Sequence, residues 1–314
     1  MRITSAQMTL DLQAASGDVL CLGEALVDMI CERHVASLDE ADMFVPHFGG
    51  AVANVALLAA RAGARTALAG GVGDDSWGRW LCDQLARAGV SLRHFRLIPE
   101  MRTPLALSTV DAAGEASYTL YGESIATVVH ALWGTVEEAV QGSAALFISS
   151  NTLVGEAERQ ITMKAREHAL AQGRPVIFDP NLRMHRWNSR TDAAASVNAC
   201  VPGALLVRTN AQEARLMTGE EDLDRAALAI RKAGARNVVI TDGPRGAILR
   251  GKIRLDVPGV PARVVSTIGA GDALTATLIA RLQITGFYEP AIAAALRQAM
   301  IVASEACERW GACD

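Results

Sequence analysis

Ser266-Thr267-Ile268-Gly269-Ala270-Gly271-Asp272, running straight into the apolar stretch 273–282, is the segment on which the reading of this 314-residue chain turns. Two glycines around an alanine let backbone N–H groups crowd together where a helix begins. A helix start offers unpaired donors and partial positive charge, so the segment is built to hold an anion such as a phosphate. Asp272 sits at the mouth of that pocket. A carboxylate beside an anion hole makes sense where it handles a proton or a metal while a phosphoryl group moves. Taken alone, such residues are more often a helix cap and a tight turn. The rest of the chain decides between the two.

Working outward, short apolar runs at 18–23, 66–71, 144–149, 175–179, 204–207 and 237–241 read as buried parallel strands. Helical patterns lie between them, near 51–62, 76–88, 155–172, 190–200, 210–217 and 222–233. Many end in a glycine suited to a C-terminal cap: Gly63, Gly89, Gly173, Gly219 and Gly234. That rhythm predicts an α/β fold, a doubly wound, mostly parallel sheet with helices on both faces. Two regions, about 24–48 and 102–122, break the rhythm with alternating patterns. Gly114-Glu115 between two such runs reads as a hairpin turn, and the regions predict a small antiparallel sheet projecting from the main one. With no internal repeat or linker, the expectation is one domain over 18–314 with a β appendage, after a loose extension at 1–17.

Composition narrows the class. Half the residues are hydrophobic and 20% are charged, which supports a large core. A net charge of −4 without a basic run argues against a nucleic-acid partner. No apolar run approaches the roughly 18–20 residues of a membrane span, and the start lacks signal-peptide character. The six cysteines are scattered with no Cys-x-x-Cys pair, and Cys21 sits in a strand pattern; free thiols in a reducing cytoplasm fit best.

Two apparent motifs fail on context. The run 246–253 nearly matches a P-loop, but Ile253 stands where a magnesium-binding hydroxyl belongs, and Gly251-Lys252 reads as a hairpin turn. Gly71-Val72-Gly73 lacks the third glycine of a dinucleotide fingerprint. Other segments carry more. Gly49 and Gly50 open a helix and allow close approach to a ligand, and Asn54, one turn in, offers a donor and an acceptor suited to sugar hydroxyls. Asp28 can accept from two hydroxyls. Asn210 and Glu213 read as a helix capping box, or as a site where Glu213 orders magnesium-bound waters. Thr241, Gly243 and Gly246 follow a strand and either face a triphosphate or simply turn the chain.

In this order, from about residue 18 onward, the motifs resemble those of the ribokinase-like (PfkB) sugar kinase family. Segment 49–63 resembles its N-terminal signature, 70–78 with 88–90 its intervening block, and 265–272 its C-terminal signature. Asn210 and Glu213 match its Asn-x-x-Glu motif. The resemblance implies a ribokinase-like fold whose β appendage is a lid over the sugar and a homodimer surface. It implies that Asp272 is the general base and that the backbone of Gly269, Ala270 and Gly271 forms the anion hole. Asp28, Gly49, Gly50, Asn54 and Asp272 would hold the sugar. Asn210, Thr241, Gly243, Gly246, Gly269 and Gly271 would hold ATP, and Glu213 would hold Mg2+ through water. At a helix N-terminus the Asp272 carboxyl is expected to have a low pKa.

The segment 178–183, Phe-Asp-Pro-Asn-Leu-Arg, with Trp187, resembles fructokinases and 2-keto-3-deoxygluconate kinases. Arg183 would be a second clamp on negative charge. Those subfamilies carry an arginine near the end of the second lid strand, where this chain has Glu123 beside Gly122. An acid there disfavours an anionic sugar and points to fructose. Ser266 replaces an acid that helps form a monovalent-cation site, which argues against strong K+ activation. The expected activity is an ATP- and Mg2+-dependent fructokinase. Behind it stand a 2-keto-3-deoxygluconate kinase, then a ribokinase or nucleoside kinase, and, from another class, a low-turnover sugar- or nucleotide-binding protein.

Overall fold

A computed structural model of the chain describes residues 17–121 and 125–313. The extension expected at 1–17 lies outside these residues except for Gly17, and so does Glu123. Strand β1 (Asp18–Leu22) opens the large sheet. Strands β2 (Leu26–His34) and β3 (Val45–Gly49) turn aside into the small one, and β4 (Thr66–Gly73) and β5 (Ser91–Ile98) return to the large one. Strands β6 (Leu105–Val110) and β7 (Ala116–Tyr121) leave again. Strands β8 (Ser143–Ser149), β9 (Val176–Asp179), β10 (Leu206–Asn210), β11 (Asn237–Thr241), β12 (Ala247–Arg250) and β13 (Arg254–Val257) complete the large sheet.

The nine-stranded order is β13-β12-β11-β10-β9-β8-β1-β4-β5. All pairs from β11 to β5 are parallel, and β12 and β13 add an antiparallel hairpin at one edge. That hairpin turns at residues 251–253, so the P-loop-like run is strand β12 and a hairpin loop, as its context predicts. The central strands are buried on both faces, and alternation sends neighbouring side chains to opposite sides. Val19, Cys21, Leu68, Phe147 and Ile177 pack with Leu278 and Leu296 on one face. Leu20, Leu22, Ile148, Phe178 and Val207 pack with Ala165 and Val197 on the other. Each such burial contributes about 1.5–3 kcal/mol for a large aliphatic side chain. No helix among the described residues is long and apolar enough to cross a membrane.

The small sheet has the order β3-β2-β6-β7. It is mixed, not antiparallel as expected: β2/β3 and β6/β7 are antiparallel, but β2 and β6 pair in parallel, with Val27 opposite Leu105. The reason is topological. β2 follows β1 and β6 follows β5, and those two strands point the same way, so both excursions leave from the carboxyl edge of the large sheet. Gly114 takes φ 84° in the turn between β6 and β7, and Asp111 Oδ1 accepts from the N–H groups of Ala113 and Glu115 at 2.8 and 3.0 Å. At the base of this sheet Asp75 caps the helix Ser76–Arg87 through Gly78 N, and also accepts from the N–H and hydroxyl of Thr103.

Candidate active site

The quoted segment does begin a helix, Ala270–Ile284, with Gly269 as its N-cap at φ 79°. A side chain at Gly269 would meet that strained φ and also collide with Ala312, which lies against it. The first helical bond runs from Ala273 N to Gly269 O, 2.8 Å. The N–H groups ahead of it are those a helix leaves without intrahelical partners. A Cβ at Gly271 would lie 2.7 Å from Arg208 Nη1, so the glycine lets this cation approach the loop closely.

Asp272 is 9% exposed. Its Oδ2 accepts from Asn54 Nδ2 at 2.9 Å, and its Oδ1 from Asn181 Nδ2 at 3.5 Å. Burial pushes its pKa up to about 6, with the Asn54 hydrogen bond pulling down, Asp179 pushing up, and Arg183 and Arg208 pulling down. The helix N-terminus had suggested a low value. Desolvation outweighs it, because the lid and the flanking loops cover the carboxyl.

Asp28 is a buried residue of strand β2 in the small sheet, and its pKa rises to about 7 by burial, Arg183 opposing and Asp272 adding to the rise. Gly49, opposite Leu26 in β3 and diagonal to Asp28, has no room for a side chain because the Asp28 carboxylate occupies the space. Gly50 takes φ 94° with Glu24 O close by, and Glu24 Oε1 accepts from Ala51 N and from Asn151 Nδ2. Asp28, Gly50, Asn54, Arg183, Gly269 and Asp272 line one cleft. Arg183 places its guanidinium carbon 4.9 Å from the centre of the Tyr118 ring, on lid strand β7.

A second, polar cavity lies on the other side of Asp272 and Arg183; Asn181, Arg208, Asn210, Glu213, Gly269 and Gly271 line it. Arg208 is a site residue that the sequence reading missed. Strand β10 runs to Asn210, past the limit of 207 expected from its apolar run, and carries Arg208 buried. Its Nη1 donates to Asp179 Oδ2 at 3.2 Å and its Nη2 to Thr241 Oγ1 at 2.9 Å. Thr275 also donates to Asp179 Oδ2, at 2.7 Å. A charged residue interrupting an apolar strand was the available signal.

Asn210 and Glu213 form a complete capping box on the helix Ala211–Thr218. Glu213 Oε2 accepts from Asn210 N and Thr209 Oγ1, and Oε1 accepts from Leu182 N. Burial first and Asp179 second raise its pKa. Both carboxylate oxygens are engaged, so the donor set fits a metal through water and not by direct ligation. Among the described residues no group of three or more His, Cys, Asp or Glu side chains forms a metal cage. Thr241 joins this cavity through Arg208. Gly243 and Gly246, at φ 52° and 104°, shape the turn after β11, and Gly246 lines a separate groove with Asp242 and Pro258.

The pfkB family carbohydrate kinase model matches residues 16–313. The chain belongs to the pfkB family of carbohydrate kinases. Fructokinase-1 of Oryza sativa subsp. japonica is 31% identical over 266 residues, covering 84% of this chain and 82% of that protein. Fructokinase-2 of Solanum habrochaites is 28% identical over 277 residues, covering 88% and 84%. The fructokinase of Vibrio cholerae O395, in its fructose, ADP and calcium ion bound form, superposes with a TM-score of 0.82 at 27% identity, covering 95% of each chain. This pfkB kinase therefore has the ribokinase-like fold and is a sugar phosphotransferase.

Proposed function

We propose that this kinase transfers the γ-phosphate of ATP to a primary hydroxyl of fructose. The observation that carries the reading is the convergence of Asp28, Asn54 and Asp272 on one cleft that shares Arg183 and Asp272 with the adjoining polar cavity. Carboxylates and a carboxamide are acceptors for hydroxyl groups, and Glu24 on the same cleft adds to a surface suited to a neutral polyol. The similarity to fructokinases supports this choice.

Asp272 takes the proton of the attacking hydroxyl, and its raised pKa makes it a better base than an exposed aspartate while leaving it ionised at neutral pH. The backbone of Gly269, Ala270 and Gly271 faces the transferring phosphoryl group, and Arg183, common to both cavities, clamps it from the sugar side. Asn210, Thr241, Gly243 and Gly246 hold the nucleotide, with Arg208 as an added cation beneath the loop. A divalent ion on the nucleotide phosphates supplies charge neutralisation, and Glu213 holds it through water. Ser266 is buried and its hydroxyl accepts from Ile268 N at 3.1 Å, which supports weak dependence on a monovalent cation. The protein works in the cytoplasm as one kinase domain that dimerises through its lid.

Arg183 and Arg186 on the same cleft favour a second reading, a 2-keto-3-deoxy sugar acid as acceptor. The test is ADP release with ATP and Mg2+ over fructose, 2-keto-3-deoxygluconate, ribose, glucose and adenosine, with Asp272→Asn alongside. Turnover with fructose supports the proposal, and turnover with the keto acid alone replaces it with the second reading. Silence across the panel with calorimetric sugar binding makes the protein a binding protein on a kinase fold. Asp272→Asn is expected to lose about a thousandfold or more in kcat with sugar binding retained.

A further inference from the structure

Behind Asp272 lies a second layer of contacts that arrives from the far end of the described chain. Cys313 is buried, and its Sγ donates to Asn54 Oδ1 at 3.4 Å. Asn54, itself buried on the helix Ala51–Arg61, donates through Nδ2 to Asp272 Oδ2. The carbonyl of Cys313 accepts from Arg61 of the same helix, and Ala312 packs against the Gly269 backbone. One short segment therefore touches both the anion-binding turn and the residue that orients the carboxylate.

The chemistry of Asn54 makes this contact directional. Its carboxamide has one donating end and one accepting end. Only with the NH2 toward Asp272 is an attractive contact made; turned over, its oxygen would oppose a carboxylate oxygen. A weak thiol donor on the other side satisfies the accepting end in that same orientation. We propose that Cys313 is a positioning residue for phosphoryl transfer, its thiol fixing the Asn54 carboxamide so that the NH2 group holds Asp272 Oδ2. The inference rests on the assignment of Asp272 as the base.

Carbon-13 carboxyl NMR of the ligand-free protein reads the Asp272 titration directly, with Asp272→Asn identifying its resonance. Parent, Cys313→Ala, Cys313→Val and Cys313→Ser are titrated in parallel, and kcat against pH is measured with the acceptor that turns over. The Asn54 hydrogen bond lowers the Asp272 pKa, so weakening it moves the midpoint upward. Ala and Val are expected to raise it by about half a pH unit and to lower kcat about 5- to 30-fold at pH 7. Ser, which restores a donor, is expected to hold both within about twofold of the parent. Val fills the space without donating, so its agreement with Ala separates the hydrogen bond from packing; where Val fails to fold, Ala and Ser decide. A midpoint unmoved in Ala, or Ser as impaired as Ala, overturns the proposal. Full turnover by Asp272→Asn instead removes the base assignment and leaves the NMR result standing on its own.

Discussion

Arg183 and Tyr118 meet face-on across the cleft, 4.9 Å from guanidinium carbon to ring centre, one from the loop after β9 and the other from lid strand β7. Strand β7 thereby holds the guanidinium proposed to clamp the phosphoryl group, and the pair contributes on the order of 1 kcal/mol or more where it is desolvated. Tyr118→Phe keeps the ring and is expected to stay within about twofold of the parent kcat/KM. Tyr118→Leu removes it and is expected to lose about tenfold, read by steady-state kinetics.

Asp272 must be ionised to accept a proton. Its pKa of about 6 in the ligand-free protein therefore predicts that kcat/KM is flat above pH 7 and falls tenfold per unit once pH drops well below 6. A pH series with pH-stability controls checks it. An acid limb near 4 would mean that the carboxyl is not desolvated in the working enzyme.

Asp28 carries the opposite cost. Its folded pKa, about 7, exceeds the unfolded value of 3.8, so the folded state binds the extra proton. The contribution of Asp28 to stability is therefore fully present below pH 4 and is lost as pH rises through 7. Asp28→Asn is expected to raise Tm by a few degrees at pH 8 and to leave it unchanged near pH 4, while sugar KM rises. Thermal unfolding at both pH values distinguishes this from a general packing effect, which would act equally at each.

Arg208 and Asp179 form a buried ion pair, 10% and 3% exposed in their side chains. Removing one partner strands the other, so Arg208→Met is expected to cost about 3–5 kcal/mol in urea unfolding. Adding Asp179→Asn to it is expected to recover most of that stability but not turnover, since the cation beneath the anion-binding turn is still gone.

The parts of this molecule written in local sequence were legible. Strands such as 237–241 are continuous apolar runs, and Gly114 marks its turn because no other residue adopts that φ cheaply. Asp272, Asn54 and Asp28, which the fold brings to one cleft, were singled out in the sequence only through the order of motifs around them. What escaped depends on partners far along the chain. Arg208 fell beyond the strand limit read at 207, and Asp179, which neutralises it, lies 29 residues earlier. Cys313 carried no signal at all, since its contact with Asn54 spans 259 residues. The parallel pairing of β2 and β6 also escaped, because alternation specifies a hairpin's own partner strand and not its neighbour across the sheet. The elevated pKa of Asp272 follows from coverage by the lid, which no helix-end rule contains.

The lid hairpin makes one more contact with the catalytic loop. The carbonyl of Gly114 accepts from both the N–H and the hydroxyl of Thr267, at 2.8 and 3.0 Å, and Thr267 stands two residues before Gly269. Any movement that withdraws the hairpin breaks both bonds, leaving the turn that precedes the oxyanion donors without its brace. If the hairpin closes over the acceptor as a lid, shelter from water and bracing of the turn ahead of Gly269 would arrive together. On the proposed reaction, a nucleotide that binds while the hairpin is withdrawn would meet an unbraced turn, and idle hydrolysis of the donor would be slow.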